Sequence, residues 1–405
     1  MVTSGFGPVV TDASDGTVTL TASLSTGWRV PKPASPDLDQ RGGAAPSVWL
    51  GAPAPGGLGL PDAMPTPSQL YAPRGVWLDD DVLIAADTGN HRVLIWHDPS
   101  TVSSHGDADV VLGQPDMTTE GAQAGGRGPE AGMRLPTGVI VHDNRLVVAD
   151  AWNHRILIWD SIPTVSDTAP DVVLGQADDV NVDENRGGRC GPLTMYWPFG
   201  VAVVGGWFWI ADTGNRRVLG WSDVPGPTDE PEIVLGQPDA AHRDENGGEL
   251  GPHSFRWPHD IAGDAERLFV ADAGNHRLLN WTPAPTGDTA ASNVFGQPDF
   301  VTAIEFAYRP GTASSLRFPY AIDIGNGAMA VADTANNRVL IWDETPTVAT
   351  PADRVLGQLD FTTGGENRWE SVLDDTLCWP YGLSLHAGRL AVADSGNNRI
   401  MVWEL

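Results

Sequence analysis

Between Leu83 and Trp96 the chain sets two apolar runs, Leu83-Ile84-Ala85-Ala86 and Val93-Leu94-Ile95-Trp96, on either side of a polar turn, Asp87-Thr88-Gly89-Asn90-His91-Arg92. The arrangement returns with its aspartate at Asp87, Asp150, Asp212, Asp272, Asp333 and Asp394 and its arginine at Arg92, Arg155, Arg217, Arg277, Arg338 and Arg399. The closing tryptophan recurs as Trp96, Trp159, Trp221, Trp281, Trp342 and Trp403. Successive aspartates lie 63, 62, 60, 61 and 61 residues apart, a period that marks a repeat architecture. Each unit divides into four short runs rich in Val, Ile, Leu and Trp and bounded by turn residues, which is the pattern of strands. The first run follows a large residue and a proline, as in Leu135-Pro136, Trp197-Pro198, Trp257-Pro258, Phe318-Pro319 and Trp379-Pro380. Proline is tolerated there because a strand begins there. Four antiparallel strands per unit, six times over, predict an all-β, six-bladed β-propeller.

A second motif fixes how the ring closes. Val110-Val111-Leu112-Gly113-Gln114-Pro115-Asp116 has counterparts with glycine at Gly175, Gly236, Gly296 and Gly357, and Gly51 lies 62 residues before Gly113. Ser47-Val48-Trp49-Leu50-Gly51 therefore supplies the outer strand that the last unit, ending at Leu405, lacks. With that strand added no terminal edge stays open. Residues 47–405 form one propeller domain, and residues 1–46 are an N-terminal extension. Within it the alternation from Thr17 to Leu24 predicts an extra strand or hairpin, and Pro31 to Pro46 reads as linker.

Leu135-Pro136-Thr137-Gly138-Val139 together with Asp212-Thr213-Gly214-Asn215-Arg216-Arg217-Val218 closely resembles the NHL repeat, whose Asn-His letters correspond to Asn90-His91, Asn153-His154 and Asn275-His276. The resemblance covers residues 47–405 and implies the same six-bladed propeller. It leaves function open, since similar propellers serve as binding platforms or, less often, as lyases and hydrolases.

Composition narrows the partners. The net charge is -28, with one lysine, Lys32, among the 24 basic residues, so affinity for a nucleic-acid backbone or an anionic membrane is not expected. RNA-binding NHL domains of the TRIM type resemble basic surfaces that this chain lacks. No apolar run is long enough to span a bilayer, and the segment from Met1 to Val30 shows neither the basic start nor the apolar block of a secretory signal. A cytoplasmic, monomeric protein is the expectation. Cys190 and Cys378 read as inert thiols, too few for a disulfide framework or a cysteine zinc site.

In an up-and-down blade the turn between second and third strands shares a face with the crossover from the fourth strand to the next blade. That face collects the five long crossovers, 117–134, 179–196, 240–256, 300–317 and 361–378, and long loops on a rigid frame are where recognition sits. The aspartates and arginines recur too evenly to form one active site and read as structure, with Asp capping the turn amides, Asn in the left-handed position, and Arg paired with a carboxylate of the same or neighbouring blade, the Asp116-type residue being one candidate. Candidate function lies where copies disagree. After each proline, at the channel mouth, stand Arg74, Thr137, Phe199, His259, Tyr320 and Tyr381, and Asp260 replaces the glycine of Gly75, Gly138, Gly200 and Gly382. Trp152 stands where other turns have Gly89, Gly214, Gly274 or Gly396, which predicts an indole contact anchor on the surface. The oxygen- and glycine-rich crossovers around Asp183-Glu184-Asn185, Asp244-Glu245-Asn246 and Gly364-Gly365-Glu366-Asn367-Arg368 lack the spacing of a known calcium loop and read as solvated turns.

The expected function is a non-catalytic binding or scaffold propeller that presents the long-loop face and channel mouth to a protein partner or small ligand. Resemblance to a bacterial subset extends this to an accessory or assembly factor for a redox metalloenzyme. The alternative is a metal-assisted lyase or hydrolase at the channel using His259 and Asp260. Propellers similar to the amidating lyases hold a metal with several histidines, whereas this mouth offers His259 alone, so no metal or other cofactor is expected. Propellers similar to gluconolactonase and strictosidine synthase use a channel carboxylate, for which Asp260 is the candidate.

Overall fold

The computed structural model describes residues 45–52, 64–305 and 309–405. The strand or hairpin expected between Thr17 and Leu24 lies outside these residues, as does the linker apart from its last two positions. The described chain forms six four-stranded antiparallel sheets, each a meander in sequence order except the last. Blade 3 shows the pattern, with strands Pro198–Val204, Trp207–Asp212, Arg217–Trp221 and Ile233–Leu235. Blades 1, 2, 4 and 5 occupy 75–112, 139–174, 258–295 and 319–356. Blade 6 takes Pro380–His386, Arg389–Asp394 and Arg399–Glu404 from the C-terminal end of the chain and its outer strand from Val48–Gly51. There Val48, Trp49, Leu50 and Gly51 pair with Val402, Met401, Ile400 and Arg399. Gly51 has φ +95°, and a Cβ on it would sit 2.4 Å from the Asn398 carbonyl oxygen, so only glycine ends this strand without strain.

The core is divided among the six junctions between neighbouring blades. At the first junction Ile84, Val93 and Ile95 of blade 1 meet Val148, Leu157 and Trp159 of blade 2. Each of the six repeating tryptophans sits in one such junction, where a wide ring fills the wedge between two diverging sheets. Five of the indole N–H groups donate to carbonyls of the loop between third and fourth strands, at Gly106, Thr168, Asp229, Thr289 and Thr350. One side chain thereby packs two blades and fixes the loop outside them.

The recurring turn joins each blade to its crossovers. Asp212 Oδ1 accepts the amide of Tyr196, which leads into the blade, and Oδ2 accepts from Asn215 Nδ2 and Arg217 Nε, each at 2.8 Å. Arg217 gives Nη1 to the Ala240 carbonyl of the outgoing crossover and Nη2 to the Gly191 and Thr194 carbonyls of the incoming one. Asp87–Arg92, Asp150–Arg155, Asp272–Arg277 and Asp333–Arg338 repeat this wiring, and Asp394–Arg399 repeats the ion pair and the incoming half. The expected assignments differ in detail. Asp makes no side-chain cap on its own turn, and Arg finds the expected carboxylate of its own blade in the turn Asp rather than in the Asp116-type residue. Asp116 Oδ1 instead accepts the amides of Thr118 and Thr119 in its own loop. The reason is register: Asp212 and Arg217 are directly opposed across the hairpin, and a buried guanidinium requires its carboxylate at contact distance.

The left-handed position is also one residue later than expected. It falls on His91, His154, Arg216, His276, Asn337 and Asn398, with φ from 53° to 57°. Five of these side chains accept an amide from the next blade: His91 Nδ1 from Leu135, His154 Nδ1 from Trp197, His276 Nδ1 from Phe318, Asn337 Oδ1 from Trp379 and Asn398 Oδ1 from Ala72. Leu135, Trp197, Phe318, Trp379 and Ala72 are themselves left-handed, with φ from 46° to 54°. Arg216 has no acceptor to offer, and at that junction the amide of Trp257 turns to Asp272 Oδ1 at 3.2 Å while Trp257 is not left-handed. The acceptor in one blade thus sets the backbone conformation at the start of the next.

Candidate functional site

The six residues that follow the prolines come together around the channel mouth. Phe199 meets His259 at 4.6 Å between ring centroids, His259 meets Tyr320 at 4.4 Å, and Tyr320 stacks on Tyr381 at 4.6 Å and 9°. The Arg74 guanidinium lies 4.7 Å above the Tyr381 ring and completes the series. Thr137 breaks it: its hydroxyl is buried and donates to the Phe199 carbonyl at 3.0 Å. Behind the mouth the innermost strands enclose a cavity of about 570 Å³.

His259 and Asp260 are neighbours in sequence but serve different hydrogen bonds. His259 Nδ1 faces the Trp257 carbonyl at 3.1 Å, and burial lowers its pKa to about 4, so the ring is neutral. Asp260 Oδ1 accepts the Ile261 amide and Oδ2 the Ile322 amide of the next blade. Burial raises its pKa to about 7. The sequence reading missed a second carboxylate on this cavity, Asp323, which accepts the amides of Ile324 and Leu385 and is raised to about 6, again by burial. Aligning the repeats exposes it, because the equivalent positions are Trp77, Ile140, Ala202, Ala262 and Ser384. Ser384 Oγ accepts the Leu78 amide in the same way. Asp260, Asp323 and Ser384 therefore satisfy the free inner edges of blades 5, 6 and 1, where an innermost strand has no hydrogen-bonding neighbour on the channel side.

Trp152 is half-buried, packed 4.5 Å from Trp197 and 6.1 Å from Phe199, and so belongs to an aromatic cluster rather than standing free on the surface. Tyr196 stacks on Trp197 at 5.7 Å and extends the cluster. Beyond it the described residues that expose a Trp or Tyr ring are Tyr71 (48%), Trp257 (37%), Trp369 (81%) and Trp379 (48%). All four lie on the crossover face. In the acidic crossovers the asparagine is the anchor: Asn185 Nδ2 donates to Asn215 Oδ1 at 3.1 Å, and Asn367 Nδ2 to Asn397 Oδ1 at 3.0 Å, while Asp183 and Glu184 are exposed, the latter 3.7 Å from Arg243. No group of three or more His, Cys, Asp or Glu among the described residues is placed to hold a metal ion. Cys190 and Cys378 are free thiols, the latter pushed up to about 12 by burial. No helix among the described residues is long and apolar enough to cross a membrane.

Fold and turn chemistry together define a six-bladed propeller whose repeats resemble the NHL type. No family model matches the chain. In an alignment of 375 residues that covers 85% of its length, it is 28% identical to NHL repeat-containing protein 2 of Gallus gallus, covering 48% of that protein. The Homo sapiens protein of the same name is 25% identical over 372 residues, with the same two coverages. The chain spans about half the length of the curated relatives it matches. Among solved structures it is similar to the WD40 β-propeller domain of Doa1, at 10% identity and a TM-score of 0.43, covering 88% of this chain and 97% of that one. The chain is a six-bladed propeller that is similar over most of its length to NHL repeat-containing proteins.

Proposed function

We propose that residues 47–405 act as a non-catalytic binding platform whose crossover face docks a partner protein, with residues 1–46 as an extension of that domain. The observation that carries this reading is the distribution of large aromatic side chains: every exposed Trp or Tyr ring among the described residues lies on the crossover face. Large rings exposed to water mark contact surfaces because they bury much area at low entropic cost. The repeating Asp, Arg and Trp side chains are meanwhile consumed inside the ring, as structural parts. A role beside a redox metalloenzyme would be one use of such a platform. The alternative, a channel-site lyase or hydrolase using His259 and Asp260, is weakened because His259 Nδ1 and both Asp260 oxygens face backbone groups and the two side chains do not pair with one another.

Site-specific photocrosslinking tests the platform. A photoreactive residue at Glu249, in the 240–256 crossover, is expected to give partner adducts in native extract that fall away in Trp257→Ala. The same residue at Glu230, on the opposite face, is expected to give none. Adducts from Glu230 in equal or greater yield overturn the assignment of the face.

A further inference from the structure

In the last long crossover one residue breaks a local rule with no structural return. The crossovers of blades 3, 4 and 6 each contain a left-handed turn opened by asparagine: Asn185-Arg186-Gly187, Asn246-Gly247-Gly248 and Asn367-Arg368-Trp369. The third position has positive φ in all three, +69° at Gly187, +99° at Gly248 and +59° at Trp369. Two copies use glycine, the residue that such a backbone favours. The third places there a tryptophan that is 81% exposed, so burial does not compensate the strain. Its indole rests on Gly365, where an added Cβ would come within 2.3 Å of Nε1, and this seats one side of the ring while leaving the other open.

The surroundings say what the open side would meet. Trp379, 48% exposed and also left-handed at φ +53°, donates its indole N–H to Glu366 Oε1 at 2.9 Å, so Glu366 is held beside both the loop and the second ring. Glu370 is exposed next to Trp369. The one cation of the loop, Arg368, turns inward, where Nη1 meets Asp375 Oδ2 at 3.0 Å and Nη2 the Asp375 carbonyl at 2.7 Å. The patch thus offers two exposed indoles and two outward carboxylates, with its own positive charge folded away. Indole faces attract cations through the ring quadrupole, and a neighbouring carboxylate adds direct attraction.

We propose that Trp369, Trp379 and Glu366 form a cation-accepting site that docks an arginine- or lysine-bearing segment of a partner protein. This deepens the platform reading and rests on it for the identity of the occupant as a protein. Complementarity extends beyond the patch, because a chain of net charge -28 draws a basic segment toward it from a distance.

The probe is a short acetylated and amidated Gly-Arg repeat peptide, with its Gly-Glu counterpart as control, titrated into the full chain carrying nitrogen-labelled tryptophan. The expected result is a saturable shift of the Trp369 and Trp379 indole N–H signals with Gly-Arg and none with Gly-Glu. Trp369→Gly, which restores the glycine of the sibling loops, should weaken binding at least tenfold without lowering the melting temperature. Glu366→Gln should weaken it severalfold, while neutralising the exposed pair Asp223 and Glu230 on the opposite face should leave it unchanged. Equal affinity in wild type and Trp369→Gly, or equal loss on neutralising the opposite face, overturns the proposal and leaves only diffuse attraction to an acidic protein. The platform fails separately, through crosslinks on the wrong face, whatever this titration gives.

Discussion

Asp212→Asn changes one atom of a carboxylate and should remove a large part of the protein's stability. Asp212 and Arg217 are both fully buried, 2.8 Å apart, and the guanidinium's remaining contacts are neutral carbonyls. Removing the negative charge leaves a buried cation uncompensated, at a cost of about 3–5 kcal/mol. The amide makes matters worse, because both carboxylate oxygens accept hydrogen bonds and the new NH2 must face either the Tyr196 amide or the donors of Asn215 and Arg217. Against a total of about 5–15 kcal/mol for a typical domain, one substitution would remove about a fifth or more. Arg145–Asp160 supplies the contrast: it is 3.7 Å long with side chains 40% and 70% exposed, so Asp160→Asn should cost about 0–1 kcal/mol. Urea titration followed by tryptophan emission reads both as shifts in midpoint at unchanged slope. Arg217→Leu should cost about as much as Asp212→Asn, and Asp212→Leu/Arg217→Leu should cost less than the sum of the single replacements, since no lone charge remains. If Asp212→Asn costs no more than Asp160→Asn, the joint between blade and crossover has been misjudged.

Acid should loosen the ring through three histidines. His91, His154 and His276 accept an amide at Nδ1, and burial holds their pKa below the usual 6.5. Unfolded imidazoles take protons that the folded ones refuse, so stability is full above pH 6.5 and falls below it. His→Asn at all three positions, copying Asn337 and Asn398, should flatten that acid limb in melting temperature against pH, and an unchanged limb would locate the effect elsewhere. Asp260 and Asp323 act in the opposite sense: with native pKa values of about 7 and about 6 against 3.8 unfolded, they subtract stability as pH rises through that range. Asp323→Asn keeps an acceptor for the Leu385 amide and should remove part of that alkaline loss, which melting curves at pH 5 and pH 8 compare directly. Leu50→Ala, in the closing strand and wholly buried, should cost about 2–5 kcal/mol in urea titration, whereas a loss under about 1 kcal/mol would mean the strand is not needed to seal blade 6.

The ring was legible in the sequence because its period is carried by residues whose chemistry permits few alternatives. A buried arginine needs a carboxylate five positions earlier across a two-stranded turn, so the pair survives in every copy and announces the hairpin. Gly51 was legible for a similar reason, since a left-handed strand end beside a carbonyl admits little else. The partners of those residues were not legible. That Arg217 reaches the carbonyls of Gly191 and Thr194 depends on how two crossovers fold over it, and backbone carbonyls leave no trace in composition. The left-handed residue was misplaced by one because Gly89 suggested a conformational role, whereas it provides room: a Cβ there would lie 2.5 Å from the Tyr71 ring. Trp152 looked like an isolated anchor because its neighbour Trp197 lies a blade away in sequence and 4.5 Å away in space.

A sixfold frame separates structure from function by how each departure from symmetry is compensated. His259 departs from the pattern but is buried and hydrogen-bonded, and Asp260 and Asp323 depart from it yet satisfy strand edges. Arg216 departs and the next blade relaxes, with Trp257 giving up the left-handed conformation of its counterparts. In each case the altered residue meets a need of the ring itself or is absorbed by its neighbours. Trp369 differs, because its backbone keeps the left-handed shape of the glycine copies while its ring gains little burial. A strained, exposed indole is disfavoured twice over in an isolated molecule, by conformation and by hydration. A partner that covers the ring would supply that compensation, which is why this loop, rather than the channel, is where contact is expected.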